Sequence, residues 1–174
     1  METWVDRETI HKGAIFSVVK GQVRLDDGQL AGREVVVHHG GVAVVPVLDD
    51  CVILIRQFRI AVGREMLELP AGRLEGDEPP EYRARRELEE EIGYTAGKLT
   101  LAASYFSSAG FTDERMSIFL AFDLAETAVS PEFDERIEPV KIPLTALPLM
   151  LANHEIEDAK TLIGLRELLA YLST

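Results

Sequence analysis

The sequence has little of three things: cysteine, positive charge and long hydrophobic runs. Cys51 is the single cysteine among 174 residues, which excludes an intrachain disulfide and favours a reducing environment. No apolar run approaches the ~18 residues that a membrane-spanning helix needs. Residues 1–8 also lack the basic start and apolar core that are typical of a signal peptide. We therefore expect a cytoplasmic protein with no membrane partner.

The charge balance is acidic, with 30 Asp and Glu against 18 Lys and Arg and a net charge of −12. A protein that binds the phosphate backbone of nucleic acids needs an excess of basic surface to displace counterions. We therefore expect no nucleic-acid partner. A small phosphate-bearing substrate stays compatible with this charge, provided that local arginines and metal ions cover its negative groups.

The pattern of apolar residues predicts an α+β protein with one domain, residues 1–174. Asp26-Asp27-Gly28-Gln29 is typical of a hairpin turn, and Asp49-Asp50 joins a second, mostly buried hairpin. The predicted strands are residues 13–25, 33–38, 42–48, 51–58, 99–106 and 116–124. Within the domain, residues 1–40 form an N-terminal hairpin region and residues 41–174 form the core.

Two helices are predicted with defined ends. The first runs from Glu78 to Ile92, with Asp77 as its N-cap, prolines in its first turn and Gly93 as its stop. Its buried stripe consists of Ala84, Leu88 and Ile92. The second runs from about Asp158 to Leu172. Its apolar face is predicted to be Leu162, Leu165, Leu169 and Leu172. A short helix is also expected near Leu144–Asn153.

The first helix carries an unusual acidic cluster. Glu87 and Glu91 are four residues apart and share one helix face, and Glu90 lies beside them. Like charges at this spacing repel, so the helix gains nothing from them by itself. Clustered carboxylate oxygens are the ligands that Mg²⁺ requires, and a bound ion could neutralise phosphate oxygens and activate water. The alternative is an ordinary solvated acidic face.

The acidic cluster lies inside a longer pattern with fixed spacing. Gly72 is followed by five residues and Glu78, then by seven residues and Arg86-Glu87-Leu88, one residue, Glu90-Glu91, one residue and Gly93. This segment resembles the Nudix box at every fixed position. Tyr94 occupies the final aliphatic slot, which is a packing position. A solvated acidic face does not explain so long a match.

The resemblance extends over residues 13–172 and points to the ADP-ribose pyrophosphatase branch of the Nudix superfamily. The segments that carry it are Arg56-Gln57-Phe58-Arg59, Ala61-Val62-Gly63, Glu68-Leu69-Pro70-Ala71-Gly72, Gly110-Phe111-Thr112-Asp113-Glu114 and Asp158–Leu165. It implies the Nudix fold, an α/β/α sandwich around a mixed β-sheet, with an N-terminal antiparallel sheet that builds a homodimer.

The resemblance also implies a metal site and a catalytic loop. Mg²⁺, with Mn²⁺ able to substitute, would be held by Glu87, Glu90, Glu91 and the backbone carbonyl of Ala71, with Glu78 as an outer ligand. Arg86 would orient the glutamates, so that Arg86 and Glu90 contribute directly to catalysis. Glu135 is the favoured residue for positioning or deprotonating the attacking water, and Glu132 and Glu138 are the alternatives.

The substrate residues follow from the same resemblance. Arg33 and Arg59, and less strongly Arg56, occupy positions that hold phosphates or the base. Glu68 and Glu114 occupy positions that accept hydrogen bonds from ribose hydroxyls or the base, and their alternative role is structural. Ala109 stands where the branch usually carries proline, which predicts a less restrained substrate loop.

These residues together predict hydrolysis of the diphosphate bond in a nucleoside diphosphate joined to a sugar. For ADP-ribose the products would be AMP and ribose 5-phosphate. The alternative substrates are GDP-mannose, a broader set of nucleoside diphosphate sugars, or a dinucleoside polyphosphate. A different class, a ligand-sensing Nudix domain without catalysis, is the remote alternative.

Overall fold

The computed structural model describes residues 1–128 and 136–174. Contacts between residues divide the chain into two compact units. The first comprises Met1–Gly40 and Tyr105–Arg115, and the second comprises Gly41–Ser104 and Met116–Thr174. The first unit therefore combines residues 1–40 with a later segment of the chain. The assignment of residues 1–174 to one functional domain stays a prediction.

Ten strands and three α-helices form in the described residues. They are β1 (Thr3–Lys12), β2 (Phe16–Arg24), β3 (Leu30–His38), β4 (Gly41–Leu48), β5 (Cys51–Arg59), β6 (Arg64–Glu68), β7 (Ala71–Arg73), α1 (Pro80–Glu87), β8 (Tyr94–Phe106), β9 (Arg115–Glu126), β10 (Ile137–Pro143), α2 (Leu147–Ala152) and α3 (Ala159–Leu172). None of these helices is long and apolar enough to span a bilayer.

The first unit contains an antiparallel sheet in the order β1-β2-β3. The predicted hairpin is confirmed, because β2 pairs with β3 from Phe16↔His38 to Arg24↔Leu30. Strand β1 was not predicted. Nearly all of its side chains are exposed, so it has no buried face that would give it an alternating pattern, and pairing with β2 defines it instead.

The second unit contains a mixed seven-stranded sheet in the order β10-β5-β4-β9-β8, with β6 beside β5 and β7 beside β4. The second predicted hairpin, β4–β5, is confirmed, but only Val47↔Val52 and Leu48↔Cys51 pair. Beyond the turn the strands separate. Strand β4 then pairs in parallel with β9, and β5 pairs with β10 and β6.

Helices cover both faces of this sheet. On one face Val42 and Val44 pack in one buried cluster with Ala84, Leu88 and Ile92, the predicted stripe of the first helix. Because side chains alternate along a strand, the next residue points to the opposite face. On that opposite face Val45 meets α3. A Cβ placed on Gly164 of α3 would lie only 3.0 Å from Cγ2 of Val45, so the helix packs directly against the sheet. The α/β/α sandwich is confirmed.

The first helix differs from its prediction at both ends. It begins after Pro79, which is extended, and no side chain caps it, so the Asp77 cap is wrong. Instead, the Glu78 carboxylate accepts a 2.8 Å hydrogen bond from the Glu75 amide and closes the preceding turn. After Glu87 the helix continues as a π-helical turn, residues 88–92, which ends at Gly93 with a φ of 71°.

The C-terminal helices largely follow the prediction. Asp158 caps α3 by accepting a 3.0 Å hydrogen bond from the amide of Thr161, and the short helix forms as a 3₁₀ turn followed by α2. The predicted apolar face of α3 is partly wrong, since Leu172 is 49% exposed. The buried stripe is Thr161, Gly164, Leu165 and Leu168, because the small Gly164 sets the line of closest approach to the sheet.

Candidate active site

Strand β7 and the first helix meet at two contacts in the second unit. The amide of Ala71 donates a 2.9 Å hydrogen bond to Oε2 of Glu91. A Cβ placed on Gly72 would lie 1.7 Å from Oε1 of Glu87, so only a glycine leaves room for that carboxylate. The strand backbone therefore lies directly against two of the predicted metal-binding side chains.

Two carboxylates of the helix, those of Glu87 and Glu90, are paired with arginines four residues earlier. The Arg86 Nη2 and Nε groups donate to Oε1 of Glu90 at 2.7 and 3.2 Å. This hydrogen bond is the main reason that the pKa of Arg86 is raised. Arg83 Nη2 forms a close ion pair with Oε1 of Glu87. The hydrogen bonds from Arg86 to Glu90 are the physical basis of the proposed orienting role of Arg86.

Arg83 was not among the residues that the sequence singled out. The spacing Arg83–Glu87 is the same as Arg86–Glu90, so the (i, i+4) rule could have pointed to it. The pattern could not show that Arg83 is buried, with 5% of its surface exposed. Most arginines on a helix are solvated.

The donor set suits a hard divalent cation. Glu87 and Glu91 are both buried, at 3% and 4% exposure, and carboxylate and carbonyl oxygens are the ligands that Mg²⁺ and Mn²⁺ prefer. Residues 1–128 and 136–174 contain no group of three or more acidic, His or Cys side chains already arranged around one metal position. Glu87 and Glu90 form ion pairs with Arg83 and Arg86.

A second cluster of charges lies at the end of β6. Glu68 is 3% exposed and accepts a bidentate pair of hydrogen bonds from Nε and Nη2 of Arg59, at 2.7 and 2.8 Å. Its other close partner is the ammonium group of Lys160, which also lies 3.1 Å from Asp158. Burial alone would raise the pKa of Glu68, but Arg59 and Lys160 outweigh it and lower this pKa to about 2.

The two clusters are electrostatically connected through Arg59. The hydrogen bond to Glu68 is the main cause of its raised pKa, and the charge of Glu91 adds to it. Glu68 therefore fixes a guanidinium within electrostatic range of the acidic helix. The predicted residues Arg59, Glu68, Glu87, Glu90 and Glu91 thus lie in one region of the second unit. Lys160 also belongs to this region, although the sequence marks it only as one residue of the matching segment Asp158–Leu165.

Arg56 lies apart from these contacts. It pairs across the sheet with Glu138 of β10, and its Nε lies 3.7 Å from the Glu138 carboxylate. Both side chains are exposed, so this pair contributes little to stability. Glu138 was one alternative for the loop carboxylate. The favoured Glu135 and the other alternative, Glu132, lie outside the described residues.

Three predicted substrate residues belong to the first unit. Arg33 is held by the carboxylate of Glu2. Glu114 lies 3.6 Å from Nδ1 of His38. Ala109 is the second residue of the turn that the Phe111 amide closes on the Ser108 carbonyl at 3.1 Å. That turn is tied to β3 because the His38 amide donates to the Asp113 carboxylate at 2.8 Å.

Comparisons with known proteins agree with the family that the box indicates. The model of the NUDIX domain family matches residues 37–164. The chain is 39% identical over 170 residues to an ADP-ribose pyrophosphatase of Bacillus subtilis (strain 168), covering 96% of this chain and 92% of the relative. It is 37% identical over 127 residues to a GDP-mannose pyrophosphatase of Citrobacter koseri, covering 67% of this chain and 65% of that protein.

A solved structure supports the same fold. The crystal structure of an ADP compounds hydrolase superposes with a TM-score of 0.88 over 99% of this chain and 94% of its own, at 24% sequence identity. The family match spans well over half of the chain, and it includes the whole Gly72–Tyr94 segment. The protein therefore belongs to the Nudix family and is a Nudix hydrolase.

Proposed function

We propose that this Nudix hydrolase cleaves the diphosphate link of ADP-ribose and releases AMP and ribose 5-phosphate. The observation that carries the proposal is the contact of strand β7 with the acidic helix. Through Ala71 and Gly72 the strand backbone contacts Glu91 and Glu87, two of the predicted ligands, with Arg59 in electrostatic range. The 39% identity with an ADP-ribose pyrophosphatase over nearly the whole chain supports this choice of substrate.

Glu87, Glu90, Glu91 and the carbonyl of Ala71 would hold Mg²⁺, or Mn²⁺ in its place. When bound, the ion neutralises diphosphate oxygens and lowers the pKa of coordinated water. Arg86 keeps Glu90 oriented through their hydrogen bonds. The family relationship indicates a divalent ion in general, and Mg²⁺ is our specific proposal.

The remaining groups bind and orient the diphosphate. Arg59 uses Nε and Nη2 to hold Glu68, and its Nη1 can donate to a phosphate oxygen. Arg33, Arg56 and Glu114 remain proposed contacts to the phosphates, base or ribose. Glu135 is proposed to take the proton of the attacking water as the new bond to phosphorus forms and the diphosphate bond breaks.

We also propose that the protein is a cytoplasmic homodimer. In the first unit, β1 is an edge strand whose outer side pairs with no other strand of the described residues, and such an edge is available for pairing with another chain. Several large apolar side chains of this unit are exposed as well, including Val5, Ile10 and Phe16.

A panel of ADP-ribose, GDP-mannose, UDP-glucose, NADH and diadenosine polyphosphates, each with Mg²⁺ or Mn²⁺, tests the proposal. We expect ADP-ribose to give AMP and ribose 5-phosphate in a metal-dependent reaction. A clear preference for GDP-mannose would support the second candidate, which the relative from Citrobacter koseri favours. Binding of ADP-ribose without metal-dependent release of AMP would instead indicate a sensing domain and overturn the proposed activity.

A further inference from the structure

Arg83 is a buried cation beside the proposed metal ligands. Its side chain is 6% exposed, and its Nη2 group pairs with Glu87, which is 4% exposed at the side chain. The same Nη2 lies 3.8 Å from Oε2 of Glu90. One guanidinium nitrogen therefore contacts two of the three glutamates that would hold the metal ion.

The rest of the Arg83 guanidinium is not otherwise satisfied. Its Nε and Nη1 atoms are buried and have no hydrogen-bond partner in the described part of the chain. A buried donor without a partner is unfavourable. Within the described residues, the ion pairs with Glu87 and Glu90 are therefore the interactions that compensate the burial of the Arg83 charge.

The position of Arg83 relative to Gly72 shows how confined this space is. A Cβ on Gly72 would lie 1.7 Å from Oε1 of Glu87 and 3.0 Å from Nη2 of Arg83. Strand β7, Glu87 and Arg83 are thus packed against each other. Nη2 of Arg83 therefore occupies part of the confined space beside Oε1 of Glu87, the oxygen that a bound cation would contact.

We propose that Arg83 is an internal counter-cation of the metal site, which a divalent ion must displace from Glu87 in order to bind. Arg83 keeps the buried carboxylates compatible with the fold when no ion is present. Its positive charge also opposes the incoming ion. Arg83 is a positioning residue in this proposal, since it acts through Glu87 and Glu90, and the proposal rests on the metal set given under the proposed function.

The test is binding of Mn²⁺ to the metal-free protein, measured by electron paramagnetic resonance of the free ion and repeated with Mg²⁺ by calorimetry. We expect Arg83→Met to bind Mn²⁺ at least tenfold more tightly than the wild type. Its melting temperature without metal should fall, and the rise in melting temperature on adding Mn²⁺ should be larger than in the wild type.

Two further variants separate charge from packing. Arg85→Met removes an arginine of the same helix whose (i, i+4) partner is the exposed Glu81 at 3.0 Å, and its Mn²⁺ affinity should equal that of the wild type. Arg83→Lys keeps the positive charge and should bind Mn²⁺ within about threefold of the wild type. If Arg83→Met does not fold, Arg83→Lys still tests the proposal. A dissociation constant for Mn²⁺ that differs more than tenfold between Arg83→Lys and the wild type would overturn the role of the charge.

The outcomes distinguish this inference from the proposed metal set. If Glu91→Gln binds Mn²⁺ as well as the wild type, the metal set is wrong and the inference falls with it. If Glu91→Gln loses binding but Arg83→Met binds with unchanged or weaker affinity, the metal set holds and the counter-cation role of Arg83 is overturned.

Discussion

The Ala71 amide and the Glu91 carboxylate are joined by a 2.9 Å hydrogen bond between residues twenty positions apart. The bond attaches β7 to the π-helical turn that follows α1. A π-helical turn widens the helix locally and is frequent at functional sites. In this protein it carries Glu90 and Glu91, so their direction depends on the turn as well as on the sequence spacing.

We predict that Glu91→Gln loses activity by at least about a hundredfold, which corresponds to about 2.7 kcal/mol of transition-state stabilisation. The amide keeps an oxygen that can accept from Ala71, so the fold survives, but it removes a charge that binds the metal. The measurement is kcat with ADP-ribose and Mg²⁺, together with thermal unfolding. The matched control is Glu89→Gln on the exposed side of the same turn. Wild-type turnover by a folded Glu91→Gln protein would refute the metal assignment.

Gly72→Ala should weaken metal binding at least tenfold. The new Cβ would overlap the Glu87 carboxylate, which must move away from its position, at a cost of about 1–3 kcal/mol in stability. Calorimetric titration with Mg²⁺ and denaturant unfolding measure the two effects. Gly32→Ala is the control, because a Cβ there meets no atom within 4 Å. Equal metal affinity in Gly72→Ala and the wild type would show that Glu87 does not bind the ion from this position.

The free energy of unfolding should depend on the ionisation of Glu68 in acid. Its pKa is about 2 in the folded protein, well below the ordinary value of 4.5, so the charged form stabilises the fold above pH 4.5. This contribution is lost as the pH falls from 4.5 through 2. Urea unfolding from pH 7 to pH 2 should show that the wild type loses its advantage over Glu68→Gln in that window.

The control for Glu68 is Glu157→Gln. Glu157 forms an exposed ion pair with Arg64, and such pairs contribute little to stability. We expect a small effect at every pH. A gap between wild type and Glu68→Gln that does not change with pH would mean that the buried charge is not what stabilises this cluster.

Ala109→Pro should sharpen substrate discrimination. Ala109 is the second residue of the Ser108–Phe111 turn, a position that favours proline. The substitution should restrain the loop and stabilise the protein by roughly 0.4–1 kcal/mol. The test is the ratio of kcat/KM for ADP-ribose over GDP-mannose, which should rise in the variant. A wild-type preference above about a hundredfold, ~2.7 kcal/mol, would refute relaxed specificity in the native loop.

Light scattering at micromolar concentration should give the mass of a homodimer. Ile10→Glu places a charge on β1, where the isoleucine is 53% exposed, and should shift the mass toward the monomer. Leu149→Glu is the comparison, since Leu149 is 65% exposed but lies in α2 of the second unit. A monomeric wild type at this concentration would exclude the proposed dimer.

The features that depend on neighbouring residues could be predicted from the sequence alone. The spacing from Gly72 to Gly93 identified the acidic helix, the apolar pattern indicated a helix from about Asp158 to Leu172, and turn residues located both hairpins. Such signals are local, because caps, turns and (i, i+4) pairs involve residues within one or two turns of chain. These features could therefore be predicted without knowledge of the fold.

The features that depend on burial and on distant contacts became visible only in the folded chain. Lys160 reaches Glu68 across 92 positions, a contact that no local pattern could predict. Asp77 does not cap α1, and the buried stripe of α3 follows the close approach of Gly164 to the sheet. Arg83 had the appearance of a surface residue in the sequence. Packing of β7 against the helix made it a buried charge, because burial is a property of the assembled layers and not of the spacing.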